Sequence, residues 1–131
     1  MRRRAPRDAA SAICAGVTPV IPGGSSTPVL TADQLDTPLD FDSVAKVGSM
    51  LGSAAVIVMH EDTCIVKAAL RIMQFYAHES CAQCTQCREG TAWTTKILER
   101  IVAGQGTFED LDTLLDLAEN MTGKTICVLS D

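Results

Sequence analysis

Residues 79–90 read ESCAQCTQCREG, which sets Cys81, Cys84 and Cys87 three positions apart. Three thiols this close together are not a packing pattern, and three is one short of a closed tetrahedral metal site. A CxxCxxC loop can wind around one corner of a cubane so that each thiolate reaches a different iron. The fourth iron then takes a sulfur from elsewhere in the fold. Zinc prefers its ligands in pairs, CxxC with CxxC or with HxxxH, because two knuckles fill a tetrahedron. The even spacing therefore points to a 4Fe–4S cluster, with a structural zinc-binding interaction module as the alternative. A redox CxxC of the thioredoxin kind would need a βαβ setting and would leave Cys87 without a role.

The remaining cysteines are Cys14, Cys64 and Cys127. Cys14 lies in the least patterned part of the chain, and Cys64 reads as a small, buried or half-buried residue near a helix start. Cys127 follows the last predicted helix, in the turn GKTIC, and an antiparallel return brings that turn back to the cysteine loop. The ligand pattern becomes C-x2-C-x2-C-x39-C. By count, six cysteines could form three disulfides, but their clustering and the lack of a secretory pattern favour thiolate-bound metal in a reducing compartment. A cubane on four thiolates carries net negative charge, so nearby cations and amide donors stabilise it and raise its potential. Arg88, next to Cys87, and Lys124, three before Cys127, are placed for that role. His78 suits the negative end of a helix dipole. His60, followed by Glu61 and Asp62, brings too few donors for a metal site of its own.

The elements that must position these groups follow from the pattern on either side. All five prolines (Pro6, Pro19, Pro22, Pro28 and Pro38) precede residue 39. The first part reads as short strands and loops, the second as helices free of proline. Val17–Ile21 is a β-prone run that enters the loop PGGSSTP. That loop reads as a tight connection, since no strand–GxxxxGK–helix setting makes its glycines a phosphate cradle. Asp42–Met50 is a short helix, and Ser53–Met59, continuously apolar, is predicted as a strand buried on both faces.

A helix capped by Asp62 or Thr63 follows, with Ile65, Ala69, Ile72, Met73 and Tyr76 on one face. After the cysteine loop comes a second helix with Trp93, Ile97 and Ile101 as its stripe, closed by Gly104–Gly106. Thr107 and Asp110 form a capping-box-like start to a third helix, on which Phe108, Leu111, Leu115 and Ala118 make an apolar face. Asn120 and Gly123 end it. Glu109, Asp110, Asp112 and Asp116 read as a solvated acidic face, because calcium-loop spacing is absent. Three helices with short connections predict an antiparallel bundle.

Composition limits the function classes. The chain has 131 residues, 47% hydrophobic and only 4% aromatic, so any core is mostly aliphatic. The net charge is −5; beyond four arginines in the first seven residues, 7 basic face 16 acidic side chains. That body offers no basic face for nucleic acid. No apolar run reaches the ~20 residues of a membrane-spanning helix. Residues 1–16 read as disordered or atypical rather than as a targeting segment.

FYAHESCAQCTQCREGTAW (Phe75–Trp93), GQGTFEDLDTLLDLAENMTGKTIC (Gly104–Cys127) and VIPGGSSTPVL (Val20–Leu30) resemble the FMN- and NADH-binding flavoprotein subunit of respiratory NADH:quinone oxidoreductase, complex I. Diaphorase subunits of NAD-linked hydrogenases and formate dehydrogenases share the motif. The resemblance covers residues 17–131 and implies an α+β chain. Residues 17–61 match part of a small β-grasp-like linker domain, and residues 62–131 match an antiparallel helical domain that carries the cluster. It also implies that Cys81, Cys84, Cys87 and Cys127 hold a 4Fe–4S cluster that accepts electrons from reduced FMN.

The family's glycine-rich loop for FMN and NADH has no counterpart here, so the chain is expected to be a fragment that lacks the NADH site and is not catalytic alone. Its implied partners are other subunits of an NADH dehydrogenase complex, including a flavin-bearing segment and a next iron–sulfur acceptor, with no direct membrane insertion. The implied location is peripheral to the inner membrane, on the cytoplasmic side in bacteria or the matrix side in mitochondria. The family loop usually reads ESCGxCxPCREG, whereas Ala82 and Gln86 stand here at the Gly and Pro positions. If position 82 needs a positive φ, Ala82 strains the loop by ~1 kcal/mol.

Overall fold

The computed structural model describes residues 19–131, and these fall into two compact units divided between Thr63 and Cys64. The expected atypical N-terminus, Cys14 and the start of the Val17–Ile21 run lie outside the described residues.

In the first unit, β1 (Val20–Ile21) pairs antiparallel with β2 (Ile57–Val58), with Val20 opposite Val58 and Ile21 opposite Ile57. Ile21, Leu30, Val44 and Met59 form its apolar centre. The PGGSSTP loop is a tight connection, as its composition predicts. Thr27 donates both its amide and its hydroxyl to the Gly24 carbonyl, and Ser53 does the same to the Gly23 carbonyl. A Cβ at Gly23 would lie 2.4 Å from the Met50 and Leu51 carbonyl oxygens, so only glycine fits there. The short helix α1 (Phe41–Lys46) starts where the Asp40 carboxylate accepts the Ser43 amide at 2.8 Å. That bond also holds the Asp40 carboxyl below its usual range.

The strand predicted over Ser53–Met59 is corrected by the structure. Only Ile57–Val58 pair, Val58 is 69% exposed, and Met59 alone is buried. A two-stranded ribbon has no second layer to cover its outer face. The turn at Gly52 and Ala54, both with positive φ, also takes up the residues that would have lengthened the strand.

The second unit holds three helices: α2 (Ile65–Glu79), α3 (Thr85–Val102) and α4 (Phe108–Met121). The N-cap of α2 is Cys64, not Asp62 or Thr63, because the Thr63 amide is already bound to the His60 carbonyl in a turn. Side-chain bonds fix the helix directions. Gln74 meets Glu99 at one end of the α2–α3 pair, and Ser80 meets Cys87 at the other. Arg100 pairs with Asp110 at one end of α3–α4, and Gly90 lies against Met121 at the other. Both pairs therefore run antiparallel.

The packing seam differs from the predicted stripes. On α3 the buried residues are Cys87, Gly90, Thr91 and Leu98, while Trp93 is half exposed. On α4 they are Asp110 and Met121, and Phe108, Leu111 and Leu115 face outward. Small residues decide this: Gly90 and Thr91 let neighbouring helices approach closely, so the seam runs along them rather than along the bulky residues. Asp110 also departs from the solvated acidic face. One carboxylate oxygen pairs with Arg100, and the other accepts the Thr107 amide at 2.7 Å, completing the capping box. Glu109, Asp112 and Asp116 are exposed, as expected. No helix among the described residues is long and apolar enough to cross a membrane.

Candidate metal centre

Ser80 closes α2, its amide bound to the Tyr76 carbonyl, and the chain then crosses to α3 through Cys81–Cys84. Cys84 is the N-cap of α3, and Cys87 lies one turn inside it. Both residues therefore sit in the first turn of α3, where backbone amides have no intrahelical acceptor. Exposure is graded along the loop: Cys81 is exposed, Cys84 is intermediate and Cys87 is buried. Thr91 fixes the Cys87 backbone, its hydroxyl donating to the Cys87 carbonyl at 2.7 Å.

The crossing needs one left-handed residue, and it falls on Ala82, with φ +62°. The strain anticipated from the sequence is therefore present. Two bonds hold the conformation: the Ala82 amide donates to Ser80 Oγ at 3.3 Å, and its carbonyl accepts Arg88 at 2.8 Å. Replacing Ala82 with Gly relieves the Cβ clash and is expected to stabilise the second unit by ~1 kcal/mol. Thermal unfolding of the variant beside the parent checks this, and an unchanged or lower midpoint would contradict it.

Cys127 lies in the turn after α4. Gly123, with φ +67°, reverses the chain, and its amide donates to the Asp131 carboxylate at 2.9 Å. Thr125 bonds the Cys127 carbonyl and the Ser130 hydroxyl, closing the turn on itself. The 3₁₀ turn Val128–Ser130 then packs on α3. The Ile126 amide donates to Cys84 Sγ at 3.4 Å, a bond that spans 42 positions and ties the turn before Cys127 to the CxxCxxC loop, while Cys127 itself is exposed.

That return depends on Gly90. A Cβ there would lie 2.3 Å from Met121 Sδ, and Met121 is buried. Gly90→Ala is expected to force the α4 end away from α3 at a cost of about 1–3 kcal/mol. It should also raise the alkylation rate of the Cys84 thiol, which the Ile126 amide otherwise shields. Equal stability and equal alkylation would show that the contact does not control the turn.

Cys81, Cys84, Cys87 and Cys127 are free thiols. Cys64 is half-buried, as expected, but it is disulfide-bonded, against the expectation of a chain without disulfides. Arg88 is turned to the Ala82 carbonyl and to Glu89, and Lys124 reaches the Asn120 side chain. His78 is exposed at the end of α2. His60 belongs to the other unit, where its Nδ1 meets Asp62. Among the described residues, no three His, Cys, Asp or Glu side chains converge on a single-ion site. The sequence reading missed Ser80, whose hydroxyl lies 3.3 Å from Cys87 Sγ. Its position just before the first cysteine was the available signal.

Comparison with known proteins matches residues 67–131 to the family described as the NADH-ubiquinone oxidoreductase-F iron-sulfur binding region. The F subunit of NADH-quinone oxidoreductase from Mycobacterium tuberculosis is 53% identical over 110 residues, covering 84% of this chain and 25% of the relative. Its Streptomyces coelicolor counterpart is likewise 53% identical, covering 84% of this chain and 24% of its own length. This chain thus spans about a quarter of the curated relatives that it matches. Among solved structures, an NAD+-reducing NiFe-hydrogenase in its H2-reduced state matches 88% of this chain and 20% of its own, at TM-score 0.76 and 31% identity.

Proposed function

Because residues 67–131 belong to the NADH-ubiquinone oxidoreductase-F iron-sulfur binding region family, we propose that Cys81, Cys84, Cys87 and Cys127 hold a 4Fe–4S cluster in this chain. When bound, such a cluster stores and releases one electron at a time. The donor set fits it: four free thiols, with an amide already directed at one sulfur and a hydroxyl at another. The observation that supports the reading is the Ile126 amide bond to Cys84 Sγ, which ties the turn just before Cys127 to one of the three loop thiols.

The chain's own part is positional. The α3 N-terminus supplies the dipole, Thr91 anchors Cys87, and Arg88, paired with Glu89, braces the loop through the Ala82 carbonyl. Lys124 adds a second cation on the turn that carries Cys127. No bond-making step falls to any side chain here, since the protein's contribution is distance, insulation and tuning of the potential.

In a complete subunit the module serves as a relay between a flavin-bearing segment, where FMN and NADH bind, and a further iron–sulfur acceptor. Residues 17–61 form the partial β-grasp-like linker, and residues 62–131 the helical cluster domain. The assembly lies peripheral to a membrane, on the cytoplasmic or matrix side. The likeness to the NAD+-reducing hydrogenase supports a second reading, the diaphorase subunit of such an enzyme, with the same cluster and a different holoenzyme.

Anaerobic reconstitution with iron and sulfide, followed by metal and acid-labile sulfide analysis, tests the cluster. About four irons and four sulfides per chain are expected. One tightly held zinc with no brown colour would instead establish the zinc-binding interaction module.

A further inference from the structure

Ser80 is the one hydroxyl directed at a cysteine sulfur among the hydrogen bonds of the cysteine loop. We propose that Ser80 sets the reduction potential of this centre by donating its O–H to Cys87 Sγ. The proposal rests on the cluster reading above.

The geometry leaves the hydroxyl little choice. Ser80 Oγ accepts the Ala82 amide at 3.3 Å, which occupies a lone pair, and lies 3.3 Å from Cys87 Sγ. A metal-bound cysteine sulfur carries no proton, so in the loaded chain only the Ser80 O–H can donate along that contact. Both ends are fixed. The Ser80 amide is tied to the Tyr76 carbonyl, and Thr91 holds the Cys87 carbonyl within α3. Cys87 is only 7% exposed, and a hydrogen bond to a charged sulfur gains strength in such a low-dielectric setting.

A donor to sulfur favours the reduced state, which carries the extra negative charge. Removing it therefore lowers the potential. One charge-assisted bond lost between the two states corresponds to a change of about tenfold in the one-electron equilibrium, or about 59 mV. Ser80 also restrains Ala82, so a merely structural role is the competing explanation. Such a role would change stability or loading without moving the potential in step with the hydroxyl.

The test is a redox titration, followed by electron paramagnetic resonance, of the reconstituted parent chain and of Ser80→Ala and Ser80→Thr. The expected result is a midpoint lowered by about tenfold in equilibrium for Ser80→Ala and restored in Ser80→Thr. Equal midpoints for parent and Ser80→Ala, with both loaded, would overturn the role of Ser80 and leave the cluster reading intact. A parent chain that takes up no cluster would overturn both. Should Ser80→Ala fail to load, Ser80→Val beside Ser80→Thr decides by the same titration, because the two side chains match in shape and differ in the hydroxyl. A lower midpoint for Val supports the bond. Equal midpoints, or failure of both variants to load, overturn it in favour of a structural role.

Discussion

Replacing Cys127 with Ser is expected to reduce cluster loading by more than the ~10–100-fold that loss of an outer partner typically costs a metal site. In the proposed site three cysteine sulfurs would remain after the change, and a fourth iron would have no cysteine to hold it. Cys64→Ser is the matched control. Cys64 caps α2 and is disulfide-bonded, away from the four free thiols, so its replacement should leave loading at the parental level. Iron content per chain after identical anaerobic reconstitution reads the difference. Equal loss in the two variants would remove Cys127 from the ligand set.

Asp110→Ala is expected to destabilise the helical unit measurably. The carboxylate is buried, pairs with Arg100 and caps α4 by accepting the Thr107 amide. Removing it leaves the Arg100 guanidinium, half exposed, without its partner and takes away a cap worth ~1 kcal/mol. Deleting one member of an ion pair costs about 3–5 kcal/mol only when the charge left behind is buried; Arg100 is half exposed, so pair and cap together predict a loss of about 1–2 kcal/mol. Urea unfolding of Asp110→Ala measures it. A loss below ~1 kcal/mol would show that the pair is screened like a surface ion pair. Because Asp110 lies at the end of the α3–α4 pair remote from Gly90 and Met121, the damage should appear in stability before it appears in cluster loading.

The chain reversal after α4 was more legible in the sequence than the packing was. Cysteine spacing is a local signal, and the return of Cys127 needed only three helices of comparable length with short connections. The amide of Ile126 at Cys84 is what such a return produces. The strain at position 82 was also readable, because a left-handed residue is visible wherever Ala stands in a glycine position. The helix faces were not. Periodicity ranked Trp93, Phe108, Leu111 and Leu115 as core because they are large, whereas contact along α3 follows Gly90 and Thr91, which admit the neighbouring helices closely.

Asp110 was misplaced for a related reason. Among four acids on one helix, nothing local distinguishes the one that meets Arg100 across the α3–α4 turn. The strand at Ile57–Val58 was overextended because a continuous apolar run implies burial only when a second layer exists, and this ribbon has two strands. Ser80 escaped notice because its contact with Cys87 depends on how α2 ends and α3 begins.

The central claim is that this chain gathers four cysteine thiolates, one of them from across a helical return, around a 4Fe–4S cluster. Electron paramagnetic resonance of the anaerobically reconstituted and reduced chain tests it most directly. The expected result is a fast-relaxing signal of one reduced cubane, integrating to about one spin per chain and lost in Cys127→Ser. A chain that yields no such signal while holding zinc, or whose signal persists undiminished in Cys127→Ser, would contradict it.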